Sequence, residues 1–247
     1  MQRFWLNYIH LSAIVILEFR QWLGMLVSLT VALNLGLVFT FSFISGSRDP
    51  ALGMYVVPGA AIMSLVTLGV SMVASDLAQQ RRTGAIQYYA ALPISKAAYV
   101  LAMVTANGVA ALPGLIITVV AGAWLYDLPF VFNPIVLIVI PLSAISLAGL
   151  GACIGLGIKN WRVVGLVAQL TMFFIMFFAP VMIPPSRLPG ILQLTGWLLP
   201  PTYAARAFRA ALAPGITAEA LMDIGILAAF AIGSLVLVSR TLEWRLE

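Results

Sequence analysis

The sequence predicts an all-α integral membrane protein with six transmembrane helices, an N-terminal interfacial helix, a cytosolic short helix and external re-entrant helices. Three observations predict it. The chain is 62% hydrophobic and only 9% charged, with a mean hydropathy of +1.07, whereas a soluble domain of this length needs far more charge on its surface. Long apolar runs recur along it, each able to cross a hydrocarbon core of about 30 Å as a helix. A polar island of twenty residues, Asp76 to Ser95, separates two of those runs. One transmembrane domain over 1–247 follows.

The first segment, 1–21, carries Arg3, Glu18 and Arg20 among aromatic and aliphatic residues and has no room to span before a new run begins at Trp22. It fits a helix lying in the membrane interface, since Glu18 and Arg20 would otherwise enter hydrocarbon at a cost of several kcal/mol. A single long helix extending the first span inward is the other reading. The run is too long, and too far from the first residue, for a cleaved signal peptide. The spans are expected at about 22–45, 51–75, 97–126, 134–158, 163–183 and 220–239. Pro58, Pro113 and Pro141 inside them mark kinks, because neighbouring helices in a membrane satisfy the carbonyls that proline frees. Gly149, Gly151, Gly155 and Gly157 crowd the fourth span, and the spacing 151/155 permits close helix approach, more within one subunit than between two.

The polar island reads as two pieces. Asp76 to Arg82 continues the second span as a helix, Gly84 permits a break, and Ala85 to Leu92 forms a short helix ended by Pro93. Tyr88, Tyr89, Ile86 and Leu92 offer an apolar anchor and Arg81 and Arg82 offer charge, a mixture suited to an interaction surface. An ordinary solvated loop is the plainer reading. The segment 184–219 is too apolar for a free loop, yet Pro184, Pro185, Pro189, Pro200 and Pro201 cut it into pieces too short to cross. Re-entrant or interfacial helices solve that problem. Arg206 and Arg209, three apart on one helix face, would meet lipid phosphate by snorkelling, or an anionic substrate.

Orientation follows from lysine and arginine. With both termini in the cytosol, Arg3, Arg20, Arg81, Arg82, Lys96, Lys159, Arg162, Arg240 and Arg245 lie inside, nine of thirteen, and Arg48, Arg187, Arg206 and Arg209 outside. The scattered cations argue against nucleic acid as a partner. One cysteine, Cys153, and one histidine, His10, supply too few ligands for an ordinary metal or haem site. No carboxylate pair or nucleophile and base set lies at membrane depth, so no catalytic residue is expected. Asp127, Glu219 and Asp223 lie near the external face, and no ionisable group falls deeper in the runs. That disfavours the alternative of an ATP-independent secondary carrier or channel, which places such groups at depth for coupling ions.

Three stretches resemble the permeases of ABC-2 type exporters, in their drug-resistance, polysaccharide and nodulation-factor branches. The first is Tyr55-Val-Val-Pro58-Gly59-Ala-Ala-Ile-Met63, similar to the Pro-Gly motif at the start of that family's second span. The second is the island, where Arg81, Gly84, Ile86, Leu92, Pro93, Ile94 and Ser95 fall on the family's pattern. The third is Pro184-Pro-Ser-Arg-Leu-Pro189 with Leu199-Pro200-Pro-Thr-Tyr203 and Arg206. The chain departs from that pattern at Gln80, Arg82 and Gln87, which make its island less acidic, at Ala85, where the family usually has Thr, and at Ala179-Pro180.

The resemblance implies the ABC-2, or type V, exporter fold in a cell (inner or plasma) membrane. It implies that the island is a coupling helix, with Arg81, Arg82, Gly84, Ala85, Ile86, Gln87, Tyr88, Tyr89, Leu92 and Pro93 meeting a cytosolic ABC ATPase subunit, present in two copies. ATP and Mg would bind that partner, because this chain has no Gly-Lys dipeptide and hence no P-loop. A second copy of the permease or a close paralogue, and membrane lipids, complete the expected partners. The expected cargo is an amphipathic drug, lipid or lipid-linked glycan. Met63, Thr67, Ser71, Phe173, Phe174 and Phe177 are candidates for its path, with lipid-facing filler the plainer reading of each. The basic character of the island implies an acidic groove on the ATPase.

Overall fold

A computed structural model describes residues 2–44, 49–92, 94–179, 181–182, 190–215 and 217–241. Its elements are helices: α1 (Gln2–Ile44), α2 (Pro50–Val66), a π segment (Thr67–Met72), α3 (Val73–Thr83), α4 (Ala85–Ala91), α5 (Lys96–Tyr126), α6 (Val136–Gly157), α7 (Trp161–Phe178), α8 (Gly190–Leu198), α9 (Pro200–Ala211) and α10 (Ala218–Thr241). Among the described residues, five helices are long and apolar enough to cross a membrane: Leu23–Ile44, Pro50–Thr83, Ala98–Tyr126, Val136–Gly157 and Ala218–Arg240. The chain is thus an all-α, multi-pass membrane protein.

Two boundaries differ from expectation. The division expected after Gln21 is no helix break, because α1 runs unbroken from Gln2 to Ile44. Nothing between Leu17 and Leu23 is a proline or glycine, so no residue there ends a helix. Its first half leans on α5, where Leu11 is buried and the hydroxyls of Tyr8 and Thr105 share a hydrogen bond of 2.8 Å. The fifth expected span, 163–183, is α7, which has 18 residues. It stops at Ala179, in extended backbone (φ −89°, ψ 128°), because the residue before a proline is pushed out of the helical region.

The central rod is α2, the π segment and α3. Asp49 caps its start, accepting from the Ala51 amide at 2.9 Å, and Pro50 occupies the first turn, where its missing N–H costs nothing. Most of α2 is buried, with α1, α5, α6 and α9 packed around it. At its centre Asn34 donates to the Ser64 hydroxyl at 2.6 Å, a buried bond that joins α1 to α2. Lower down, α6 lies against the rod backbone to backbone. A Cβ on Gly151 would sit 2.2 Å from the Gly69 carbonyl oxygen, and one on Gly155 would sit 2.7 Å from that of Ala74. The 151/155 spacing therefore serves packing within the subunit.

The segment after α7 packs into the bundle. Val131 and Asn133 donate to the carbonyls of Leu212 and Ala211 at 3.1 and 3.0 Å, which holds the end of α9 beside the loop between α5 and α6. Its start, Pro200, lines a groove with Ser146 and Phe230, near the middles of α6 and α10. α9 thus runs about 18 Å from that loop to the middle of the bundle, and Pro200, Tyr203, Ala204, Ala207, Phe208 and Ala211 are buried by protein, as backbone ends at that depth require. The expected prolines 184, 185 and 189, with Arg187, lie outside the described residues, as does Pro93.

Candidate functional site

The rod leaves the core at α3, whose Val73, Ala74, Leu77 and Ala78 are buried against α6 and α7. It ends at Gly84, which adopts φ 76°, ψ 6° and donates from its amide to the Arg81 carbonyl at 3.4 Å. Only glycine takes this left-handed corner without cost. α4 then begins at Ala85 and runs to Ala91, Leu92 leaves it in extended backbone, and Ser95 caps α5 by accepting from the Ala98 amide at 3.2 Å. The expected break and short helix are both present.

α4 has two sides. Ile86 is 6% exposed and packs with Leu11, Leu77, Tyr99, Val100 and Met103. Tyr89 is half-buried beside it, its ring 5.3 Å from that of Tyr99. Tyr99 in turn donates its hydroxyl to Gln80. Gln87, Tyr88 and Ala91 face outward, and Tyr88 is 66% exposed. Ile86, expected in the outward anchor, is instead the residue that seats α4 on the bundle, because a seven-residue helix needs an apolar side on its own protein to persist. Leu92 and Ala85 are half-buried.

The two arginines turn sideways. Arg81 donates from Nη1 to the carbonyls of Gly155, Leu156 and Ile158 at 3.3, 3.0 and 3.2 Å. These are carbonyls at the end of α6, short of amide partners. Arg82 places its guanidinium 4.7 Å from the ring centroid of Trp161, the first residue of α7, with that of Arg162 at 5.6 Å from the same ring. The outward surface of α4 itself is thus polar and aromatic, and the cations of the island, Arg81 and Arg82, are exposed beside it at the end of α3.

The remaining candidates divide. Met63 is in the core, Thr67 and Ser71 are half-buried on the π segment, and Thr67 donates to the Met63 carbonyl at 2.8 Å. Phe173, Phe174 and Phe177 are exposed on α7, whose Val164, Ala168 and Ile175 form its buried side. The structure does not gather these six into one lining within the subunit.

Arg206 and Arg209 both turn inward rather than to headgroups. Arg206 pairs through Nε with Asp223 Oδ2 at 3.1 Å. Arg209 donates from Nε to the Met54 carbonyl at 3.2 Å and from Nη2 to those of Tyr55 and Val181 at 3.3 and 3.0 Å, with its guanidinium 4.1 Å from the Tyr55 ring centroid. The reason lies in the Pro-Gly motif. Pro58 has no N–H for the Met54 carbonyl four residues earlier, so Arg209 supplies the donor. Gly59 has no side chain where Val181 approaches, and a Cβ there would be 2.4 Å from the Val181 oxygen. Burial lowers Arg209 to about 10, the Tyr55 hydroxyl partly opposing the shift, so the group remains charged at neutral pH.

Comparison with known families agrees with this architecture. A family model described as ABC-2 type transporter matches residues 9–213. No curated protein matches the chain.

Proposed function

Because the chain belongs to the ABC-2 type transporter family, and is in that capacity a membrane permease of an ABC exporter, we propose that α4 is the helix through which a separate cytosolic ATPase subunit drives it. One observation carries this reading: α4 is pinned on one side by Ile86 and Tyr89 while Gln87, Tyr88 and Ala91 are left outward on the other. A short helix that is rigidly seated and yet presents an exposed tyrosine suits a partner's groove. Two permease subunits would work with two ATPase subunits. The ATPases hold ATP and Mg, and their closure on ATP displaces α4. Gly84 at one end and Ser95 at the other pass that displacement to α3 and α5.

The cargo proposed is an amphipathic drug, lipid or lipid-linked glycan, leaving the cytosol or inner leaflet. What supports it is the exposed aromatic side of α7, with Phe173 and Phe177 uncovered within the subunit, next to the half-buried hydroxyls of the π segment. A second copy, or a close paralogue, would cover that side and form the path between subunits. Both termini and α4 lie in the cytosol on the lysine and arginine distribution.

The test is co-purification with the ATPase subunit and its ATP turnover. Tyr88→Ala and Gly84→Val are expected to weaken association and to lower turnover together. Both quantities unchanged in both variants would remove α4 from the interface.

A further inference from the structure

The two spans joined end to end with α4 are α3 and α5, yet the side-chain contacts of the island extend beyond them to α6 and α7. α3 lies along α6 and α7 and touches α5 far less. Its closeness to α6 is at backbone level, because Gly155 leaves no Cβ between the helices. At the cytosolic end, one Arg81 nitrogen serves three carbonyls of the last turn of α6. That turn carries no basic residue of its own, so Arg81 brings the cation that the negative end of a helix favours. Arg82 on Trp161 makes the neighbouring attachment to the start of α7.

The structure assigns Arg81 as the positioning residue that ties the coupling segment to the turn between α6 and α7, so that a displacement of α4 carries this turn with it. The inference rests on the coupling role proposed for α4 and adds which spans move. The rod α2 to α3, the cytosolic end of α6 and the start of α7 form one body on the cytosolic side. α5 meets it through Tyr99, which packs with Ile86 and Tyr89 and donates to Gln80, so what Arg81 adds is the tie to the turn between α6 and α7. Charge alone does not make the tie. The planar guanidinium is pre-organised where its Nη1 meets all three carbonyls, whereas an ammonium sits on a flexible stem.

The experiment places spin labels at Thr83→Cys, at the end of α3 and off the outward side of α4, and at Lys159→Cys, both exposed positions, in a Cys153→Ser background, and reads the distance between them. In the purified permease alone, native Arg81 is expected to give a narrow distribution. Arg81→Gln is expected to give one roughly twofold broader, and Arg81→Lys one between the two, because an ammonium keeps the charge on a more flexible stem. In the complex with the ATPase subunit, trapped with ATP and vanadate, the distance with native Arg81 should keep its mean, because the two sites move together. A native-Arg81 distance that changes on trapping, or an Arg81→Gln distribution matching the native one, overturns the assignment. Should Arg81→Gln not yield monodisperse protein, Arg81→Lys reads the same broadening. The permease-alone measurement needs no ATPase, so it separates failure of this tie from failure of α4 as the docking helix, which the Tyr88→Ala co-purification reads.

Discussion

Replacing Arg209 by methionine removes the donor for three carbonyls while preserving side-chain bulk, and the consequence follows from Pro58. Hydrogen bonds to a charged group contribute about 1.5 to 3 kcal/mol each, and each buried carbonyl left without a donor costs about 1 to 3 kcal/mol, so the cluster of three together loses about 3 kcal/mol or more. The Met54 carbonyl is the exposed point of that cluster, since the residue four positions on is a proline and has no amide for it. In a Pro58→Ala background that amide exists again. Arg209→Met should then cost about 1 to 2 kcal/mol less than it does with Pro58, the value of one regained backbone bond plus relief of an orphaned carbonyl. The assay is unfolding of the detergent-solubilised permease, followed with a thiol-reactive dye on Cys153, the only cysteine and one whose side chain is half-buried. For a chain of this size the single substitution corresponds to a midpoint lowered by roughly 10 °C. A loss below about 1 kcal/mol, or equal losses in the two backgrounds, would refute the argument that Arg209 substitutes for the amide that Pro58 lacks.

Four further outcomes are expected. Gly84→Ala places a side chain at φ 76° and should cost about 1 to 2 kcal/mol, with Gly84→Asn losing less; equal midpoints for the two would contradict the corner. Ile86→Ala should lower the unfolding midpoint by removing a buried side chain, about 2 kcal/mol or more, whereas Tyr88→Ala should leave it within about 0.5 kcal/mol and act on ATPase association alone. Gly151→Val should fail to give monodisperse protein, because its Cβ would meet backbone oxygens of Gly69 and Val70 at 2.2 and 2.6 Å, while Gly157→Ala, with nothing within 4 Å, should behave as the parent on size exclusion. Arg206→Leu leaves the carboxylate of Asp223, 6% exposed, without its partner, so the double variant Arg206→Leu with Asp223→Leu should unfold at a higher midpoint than either single.

Much of the site was legible because its signals are local. Gly84 between a helical stretch and a short apolar one encodes a corner within a few residues, and it is where it was expected; the Ser95 cap of α5 is encoded as locally but was not read from the sequence. Ala179 before Pro180 encodes the end of α7 equally locally, although the apolar run continues past it. Ile86 was harder. Its neighbours Tyr88 and Leu92 have the same apolar character, and only the position of Leu11 and Tyr99 decides which side of α4 faces the bundle. Arg81 and Arg209 were not legible at all, since a charged residue near a membrane surface reads as a headgroup or partner contact unless its carbonyl partners are known.

The sequence by itself determined that this protein lives in a membrane, where its helices run and where the polar corner falls, because hydropathy, proline and glycine act within a few residues of themselves. The pattern of the island and of the Pro-Gly motif also carried its family. Tertiary structure alone decided what the charges do. Arg81 finds its carbonyls from 74 to 77 residues away and Arg209 finds one 155 residues away. Such partners are set by how the helices pack, and unpaired carbonyls at helix ends and beside Pro58 draw in the donors that folding brings near.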